Sequence, residues 1–182
     1  MKRSLTIISS IVMVSFALIA AEKFALRVNA GSEKEYKDKA GNDWKPAKEY
    51  IKGSGYGFVG GNVADRGADM KIEGTKDARI YQTEEYGMEA FKAEVPNGKY
   101  TVRLHFAETY DGITAAGGRV FGVKVQGKEV LKDFDVFKTA GGLQKAIVKE
   151  FKDVEVTTGV LTVSFETKEQ APEINGIEII AE

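Results

Sequence analysis

The sequence predicts an all-β fold, a sandwich or barrel that forms one domain behind an N-terminal leader. Three observations predict it. Apolar and polar residues alternate along several short runs, which is the period of a strand with one buried face. Glycine, asparagine and proline separate these runs at close spacing, as turns do in all-β proteins. The 182 residues, 43% of them hydrophobic, are enough for one compact core.

The leader has the pattern of a secretory signal peptide. Two basic residues precede an uncharged, mainly apolar run over residues 5–20, and two adjacent alanines at its end offer a cleavage point. We expect residues 1–21 to be a signal peptide and residues 22–182 to be a secreted domain, periplasmic or extracellular. An uncleaved membrane anchor is the alternative. If the leader is removed, the domain is not an integral membrane protein.

The two ends of the domain are predicted to be neighbouring strands. Phe24, Leu26 and Val28 alternate with small or polar residues, which predicts an opening strand at or near a sheet edge. Residues 174–180 form a final run rich in isoleucine behind Pro172, a residue that is tolerated at a strand entrance. We expect this final strand to lie beside the opening one.

Three turns between these ends predict three β-hairpins. The turns are residues 95–98, residues 126–127 and residues 157–159, and each has alternating apolar residues on both sides. The first contains an Asn-Gly pair, which supplies the positive φ angles that a tight hairpin turn requires. Each turn is therefore expected to join two strands that pair with each other.

Three further segments do not fit this strand pattern. Residues 32–52 are mostly polar and residues 53–71 are rich in glycine, and connections of that length in a compact domain are usually functional loops. Residues 140–149 are the only stretch that suggests a helical period. We therefore expect two long loops and at most one short helix.

The composition excludes several classes of partner and of site. Without the two basic residues of the leader, 24 basic residues face 27 acidic ones, a net charge of −3 with no basic cluster. This balance argues against nucleic acid and anionic membranes as partners. The absence of cysteine excludes disulfides and thiolate chemistry, and a single histidine, His105, excludes histidine-rich zinc sites. No cofactor is expected.

Carboxylates leave two alternatives open. Glu108 and Asp111 follow the strongest predicted strand and would serve as the acid and base of a glycoside hydrolase, although so many acidic residues produce such pairs by chance. Glu22, Glu173 and Glu178 lie near the domain ends and are an alternative calcium site. No regularly spaced ligand loop accompanies them, so solvated surface charge is the simpler explanation. We predict no enzyme activity.

Tyrosines with polar neighbours are the more informative feature. Tyr81, Tyr86 and Tyr110 stand among glutamine, threonine and carboxylate side chains. Sugars present C–H faces that stack on aromatic rings and hydroxyls that need planar donors and acceptors, so this combination suits them. Taken singly, each tyrosine is explained as well by a half-buried position at a strand end.

Four ordered motifs give the chain a family resemblance. They are YQTEEYG at residues 81–87, NGKYTVRLHFAETY at 97–110, GRVFGVKVQG at 118–127 and PEINGIEI at 172–179. Together they resemble the malectin domain, also classed as carbohydrate-binding module family 57, over nearly the whole domain. The resemblance implies a jelly-roll-like antiparallel β-sandwich that has no catalytic activity and binds glucose-containing oligosaccharides, as a lectin does.

The resemblance also implies a binding site. Tyr86 and Tyr110 match two sugar-binding tyrosines of the family, and Tyr56 stands where a third is expected. Asp111 replaces an aromatic residue of the animal lectin, and Gln170 replaces an acidic one, which puts the sugar specificity in doubt.

The two replacements leave two functions open. In the leading hypothesis the three tyrosines hold a sugar while Glu108, Asp111 and Gln170 fix its hydroxyls. The alternative is an envelope scaffold or protein-interaction domain that has lost sugar binding and has a protein partner in the envelope.

Overall fold

The structure, a computed structural model, describes residues 23–182. The predicted signal peptide at residues 1–21 and Glu22 of the alternative calcium site lie outside the described residues. Within the described part of the chain, no helix is both long and apolar enough to cross a membrane.

The predicted all-β sandwich is confirmed. Residues 23–182 form two sheets and two short helices, and the hydrophobic core lies between the sheets. In chain order the elements are β1 (Ala25–Asn29), β2 (Tyr36–Lys37), β3 (Asp43–Pro46), β4 (Tyr56–Asp65), α1 (Ala78–Tyr81), β5 (Thr83–Glu94), β6 (Gly98–Phe106), β7 (Val120–Val125), β8 (Lys128–Phe134), α2 (Val136–Ala140), β9 (Ile147–Val156), β10 (Val160–Glu169), β11 (Glu173–Ile174) and β12 (Gly176–Ala181).

The first sheet has the order β2-β3-β1-β12-β6-β9. Strands β1 and β12 pair in antiparallel fashion, with Val28 opposite Ile177, so the predicted neighbourhood of the two chain ends is confirmed. Strand β3 runs parallel to β1 on its other side. The opening strand is therefore an interior strand of this sheet rather than its edge.

The second sheet is built around the long strand β5. Strand β4 pairs along one side of β5. The other side pairs with β10 over residues 90–94 and with β11 at residues 85–86, and β7 and β8 continue the sheet from β10. Because β10 and β11 share one side of β5, the short link between them, residues 170–172, lies against the middle of that strand.

The core shows why these segments form strands. Val102, Leu104 and Phe106 alternate along β6 and are fully buried, as the period-two pattern predicts. Across the sandwich they meet aromatic rings of the second sheet. Phe106 lies 6.1 Å from Phe121, centroid to centroid, and 5.0 Å from Phe134. Burying these faces between two sheets is the main source of stability.

One of the three predicted hairpins is confirmed. Strands β7 and β8 pair directly, and the two turn residues Gln126 and Gly127 have φ angles of 50° and 75°. Positive φ at both central positions matches the right-handed twist of the flanking strands, which is what makes such turns favourable in hairpins.

The hairpins predicted at residues 95–98 and 157–159 are wrong, because both turns carry the chain from one sheet to the other. Strand β5 pairs with β4, β10 and β11, whereas β6 pairs with β12 and β9. The two turns contact each other instead. Val95 N donates to Gly159 O at 3.0 Å, and Gly159 N donates to Asn97 Oδ1 at 2.8 Å. Turn residues show that the chain reverses, but not which strand it then joins.

The two predicted loops are partly strands. Residues 32–52 contain β2 and β3, and the glycine-rich stretch contains the ten-residue strand β4. A bulge where Gly60 and Gly61 adopt positive φ lets β4 follow β5 despite its low strand propensity. The predicted helical stretch 140–149 is also wrong, since α2 ends at Ala140 and β9 begins within that range.

Candidate functional site

A pocket of about 340 Å³ opens at one end of the sandwich, beside the link between β10 and β11. Four parts of the chain form it: the end of β4, the first half of β5, the segment between β6 and β7, and that link. The lining side chains are Ala64, Arg66, Glu84, Tyr86, Tyr110, Arg119, Gln170 and Ala171.

Two tyrosines give the pocket its aromatic surface. Tyr86 lies on β5 between Asn62 of β4 and Glu173 of β11, and it is half-buried. Tyr110 follows β6 and is 41% exposed. A side-chain carbon on Gly112 would lie 2.5 Å from the Tyr110 ring, so only glycine lets the ring take this position. Part of each ring is therefore accessible from the pocket.

A buried ion pair supports Tyr110 from below. Arg119 Nε donates to Glu108 Oε2 at 2.7 Å, and Tyr110 N donates to Glu108 Oε1 at 3.0 Å. Arg119 also donates to the carbonyl of Ala171 in the β10–β11 link. Although burial opposes its charge, the bond to Glu108 raises the pKa of Arg119 above its ordinary value. Glu108 thus connects two walls of the pocket rather than facing a ligand.

A second pair lies on the opposite side of the floor. Arg66 Nη2 donates to Glu84 Oε1 at 2.6 Å, and the hydroxyl of Thr109 donates to the other Glu84 oxygen. The Arg66 guanidinium also lies 5.8 Å from the centroid of the Tyr110 ring. Glu84 is almost fully buried, whereas part of Arg66 remains exposed to the pocket. Arg66 is thus the accessible donor of the site.

A third carboxyl group, Glu173, lies beneath these pairs. It is fully buried, and neither of its oxygens has a hydrogen-bond partner among residues 23–182. Burial and the neighbouring carboxylates Glu108 and Glu84 raise its pKa well above the usual range. Above Glu173, two arginines pair with two carboxylates, Arg66 with Glu84 and Arg119 with Glu108, so these four charges balance one another.

Comparison with known proteins identifies the fold around this pocket. The family model described as "Malectin domain" matches residues 24–179. The chain belongs to the malectin domain family.

Curated malectins cover most of this chain. "Malectin-B" of Xenopus laevis is 29% identical over 161 residues, which are 80% of this chain and 55% of that protein. "Malectin" of Homo sapiens is 31% identical over 121 residues, which are 58% of this chain and 41% of that protein. The chain thus spans about half the length of the curated relatives it matches.

Solved structures share the fold. A β-glucuronidase of Bacteroides uniformis superposes with a TM-score of 0.78 at 24% identity, over 87% of this chain and 18% of that one. The ANXUR2 extracellular domain of Arabidopsis thaliana gives 0.71 at 17% identity, over 87% of this chain and 48% of that one. At such identities the likeness concerns the fold alone.

Three of the six site residues predicted from the malectin resemblance line the pocket, namely Tyr86, Tyr110 and Gln170. Gln170 reaches it from the β10–β11 link, where its φ angle is 58°. Glu108 lies behind the wall, bonded to Arg119. Asp111 is exposed and does not line the pocket. Glu108 and Asp111 are therefore not arranged as the acid and base of a hydrolase around a shared substrate.

The structure does not bring Tyr56 to the pocket. Tyr56 lies opposite Ala93, at the far end of β5 from Tyr86. Its hydroxyl donates to Pro46 O at 3.0 Å, and its ring lies 4.2 Å from the Lys48 ammonium. The ring also packs against the main hydrophobic core. The contacts of Tyr56 are those of a structural residue.

Other residues considered from sequence lie elsewhere. His105 is buried between Tyr81, 2.8 Å away, and Glu178, 3.0 Å away. Glu178 also accepts from Arg27, whereas the neighbours of the Glu173 carboxyl are Glu108, Glu84 and the two pocket arginines. No cluster of three side chains able to hold a metal is found in residues 23–182.

Besides two alanines, three charged lining residues were missed from sequence: Arg66, Glu84 and Arg119. Glu84 and Arg119 lie inside the malectin motifs, so the motifs carried a signal for them, but sequence alone does not show which motif residues form the floor. Arg66 stands in the stretch predicted to be a loop, and nothing in the local sequence distinguishes it from other surface arginines.

Proposed function

We propose that this malectin domain binds a neutral oligosaccharide in the pocket between Tyr86 and Tyr110. The observation that carries the proposal is that two partly exposed tyrosine rings line a pocket whose arginines are already paired with carboxylates. Relatives named malectin, and the carbohydrate-binding class of the family, support the same ligand type. Glucose-containing glycans are the first candidates.

The chemistry of the pocket suits sugars. The exposed parts of the tyrosine rings can stack on the C–H face of a pyranose, and the amide of Gln170 and the free N–H groups of Arg66 can bond its hydroxyls. A volume of about 340 Å³ is large enough for a small ligand or the end of a longer glycan. An acidic sugar would have to compete with Glu84 for Arg66.

We assign no catalytic step to this pocket. Both oxygens of Glu108 accept bonds from Arg119 or Tyr110 N, and Glu84 is held by Arg66 and Thr109. Neither group is available as a nucleophile or general base without breaking an ion pair. We also propose that the domain acts outside the cytoplasm, which the leader pattern supports.

A glycan array followed by isothermal titration calorimetry tests the proposal. We expect a neutral oligosaccharide to bind, and Tyr86→Ala and Tyr110→Ala each to weaken it roughly tenfold or more, since stacking rings contribute about 1–3 kcal/mol when buried by a ligand. Tyr50→Ala is the matched control, because Tyr50 lies at a different surface beside Glu94. If no glycan binds, or if the control weakens binding as much as the pocket variants, the assignment is wrong.

A further inference from the structure

The outer edge of β4 is only partly covered. Its inner edge pairs with β5 over the whole strand, whereas its outer edge contacts the segment at residues 48–50 at a single position, Phe58. From Gly60 to Ala64 no strand among residues 23–182 pairs with the outer edge. Val63 is 53% exposed on this stretch. An open edge of this kind presents backbone donors and acceptors to another extended chain.

A groove accompanies this edge. It consists of a cavity of about 360 Å³ and an adjoining one of about 320 Å³, which share Ser32, Glu33 and Val63. The loop after β1 and the segment after β3 form the wall opposite β4. Gly60 and Gly61 leave the strand side without side chains, so the groove is an elongated slot rather than a round pocket.

Glu85 lies at the bottom of the groove. Its residue surface is 6% exposed, and no side chain of residues 23–182 bonds to its carboxylate. A side-chain carbon on Gly61 would lie 2.6 Å from Glu85 Oε1, so the glycine keeps access to the carboxyl open. Burial alone raises the pKa of Glu85 to about 7. An arriving cation would find an unpaired carboxyl with one open side.

The charges around the groove favour a basic occupant. Glu33, Glu49 and Glu85 line it together with Lys48. The Lys48 ammonium donates to Ser54 O at 2.7 Å and lies over the Tyr56 ring, so it is already bonded away from the three carboxyl groups. In the adjoining cavity Arg79 is paired with Asp65. Lys34 is the other cationic side chain that lines this cavity.

We propose that this groove binds an extended peptide segment of another protein, which adds to the open edge of β4 and directs a lysine or arginine side chain to Glu85. Strand addition supplies affinity through backbone hydrogen bonds, and the acidic pocket supplies selectivity for a basic residue. The site is separate from the tyrosine pocket and does not depend on sugar binding.

Selection of a displayed random heptapeptide library on the chain, followed by fluorescence anisotropy with the enriched peptides, tests the proposal. We expect the enriched peptides to share a lysine or arginine. Glu85→Gln should weaken their binding roughly tenfold, which corresponds to about 1.4 kcal/mol. Glu129→Gln, on the exposed strand β8, is the matched control because it removes the same charge elsewhere. N-methylation of alternate peptide amides should abolish binding, because it removes the donors that strand addition needs.

A second variant, on the open edge of β4, tests the proposal independently in case Glu85→Gln fails to fold. Val63→Lys places a positive charge on the open strand and should weaken basic peptides by a similar factor while the thermal transition is retained. The proposal is overturned if the library yields no binder, or if the enriched peptides lack a basic residue. It is overturned equally if Glu85→Gln and Glu129→Gln bind alike, or if N-methylated peptides keep their affinity.

Discussion

Glu85 links the pH of the solution to the stability of the domain. Its folded pKa is raised to about 7, whereas an unfolded glutamate has its ordinary value of 4.5. As pH rises above the ordinary value, the unfolded chain releases this proton while the folded chain keeps it. The contribution of Glu85 to stability is therefore lost between the two values and stays constant above pH 7.

Glu85→Gln should remove this loss. Since one pKa unit corresponds to about 1.4 kcal/mol and the carboxyl still faces an open groove, we expect the variant to be about 1–2 kcal/mol more stable than the parent at pH 8. At pH 3, where the Glu85 carboxyl is protonated in both the folded and the unfolded chain, the variant and the parent should be equally stable. Urea unfolding at the two pH values measures the difference, with Glu129→Gln as control. Equal stabilities at pH 8 would show that Glu85 ionises normally in the folded chain.

Arg119 is the residue on which the floor of the tyrosine pocket depends most. Arg119→Ala leaves Glu108 buried without its partner and frees the carbonyl of Ala171. Breaking a buried pair on one side costs about 3–5 kcal/mol. Lys124→Ala, which breaks the exposed pair with Glu166, should cost less than about 1 kcal/mol. Urea midpoints of the two variants compare the costs, and similar shifts would contradict the buried role of Arg119.

Sequence identified the pocket-lining tyrosines better than the residues that support them. Tyr86 and Tyr110 stand in motifs whose order along the chain is specific, and both line the pocket. Tyr56 was expected by position in the family but lies at the far end of β5, because a strand rather than a loop separates it from the pocket. Pairing of Arg119 with Glu108 requires two segments to meet in space, which sequence spacing does not show.

The alternation of apolar residues predicted most of the strands but only some of the strand partners. The turns before β6 and β10 resemble the β7–β8 turn in sequence. Of these three turns, only the β7–β8 turn joins two strands that pair with each other. Strand β4 was missed because Gly60 and Gly61 lower its strand propensity, and its pairing with β5 outweighs that local preference. Strand pairing across a sandwich depends on long-range burial rather than on local sequence.

Two glycines with nearly the same φ angle differ in the space around them, so their alanine variants distinguish the cost of positive φ from the cost of a steric clash. Gly31 and Gly127 have φ angles of 73° and 75°. A side-chain carbon on Gly127 would meet nothing within 4 Å, whereas one on Gly31 would lie 2.2 Å from Glu84 O.

The alanine variants of these glycines should differ accordingly. Gly127→Ala should cost about 1 kcal/mol for the positive φ alone. Gly31→Ala should cost several times more, because the β1–β2 loop and β5 would have to separate, and it should also weaken glycan binding through the displaced Glu84. Thermal unfolding of both variants measures the costs, and equal losses would show that the loop moves freely away from β5.

In the molecule as a whole, the end of β4 separates two surfaces of different charge. Alternate residues point to opposite sides of a strand, so Ala64 and Arg66 line the tyrosine pocket while Val63 and Asp65 line the groove. The pocket balances its charges internally, whereas the groove has an excess of carboxyl groups. The two faces of this one strand therefore border surfaces of different chemistry.

Ionic strength should distinguish the two surfaces in a single protein. Screening shortens the range of exposed charges from about 10 Å at 0.1 M salt to about 3 Å at 1 M. Binding of a neutral glycan between Tyr86 and Tyr110 should therefore change less than twofold across this range, whereas binding of a basic peptide beside Glu85 should weaken roughly tenfold or more. Titration calorimetry of both ligands at the two salt concentrations gives the comparison, with Glu85→Gln expected to flatten the salt dependence of the peptide alone. If the glycan that binds is instead an acidic one whose affinity falls steeply with salt, Arg66 or Arg119 must leave its carboxylate to bind the anionic group, and the pocket would then have to be assigned to acidic sugars.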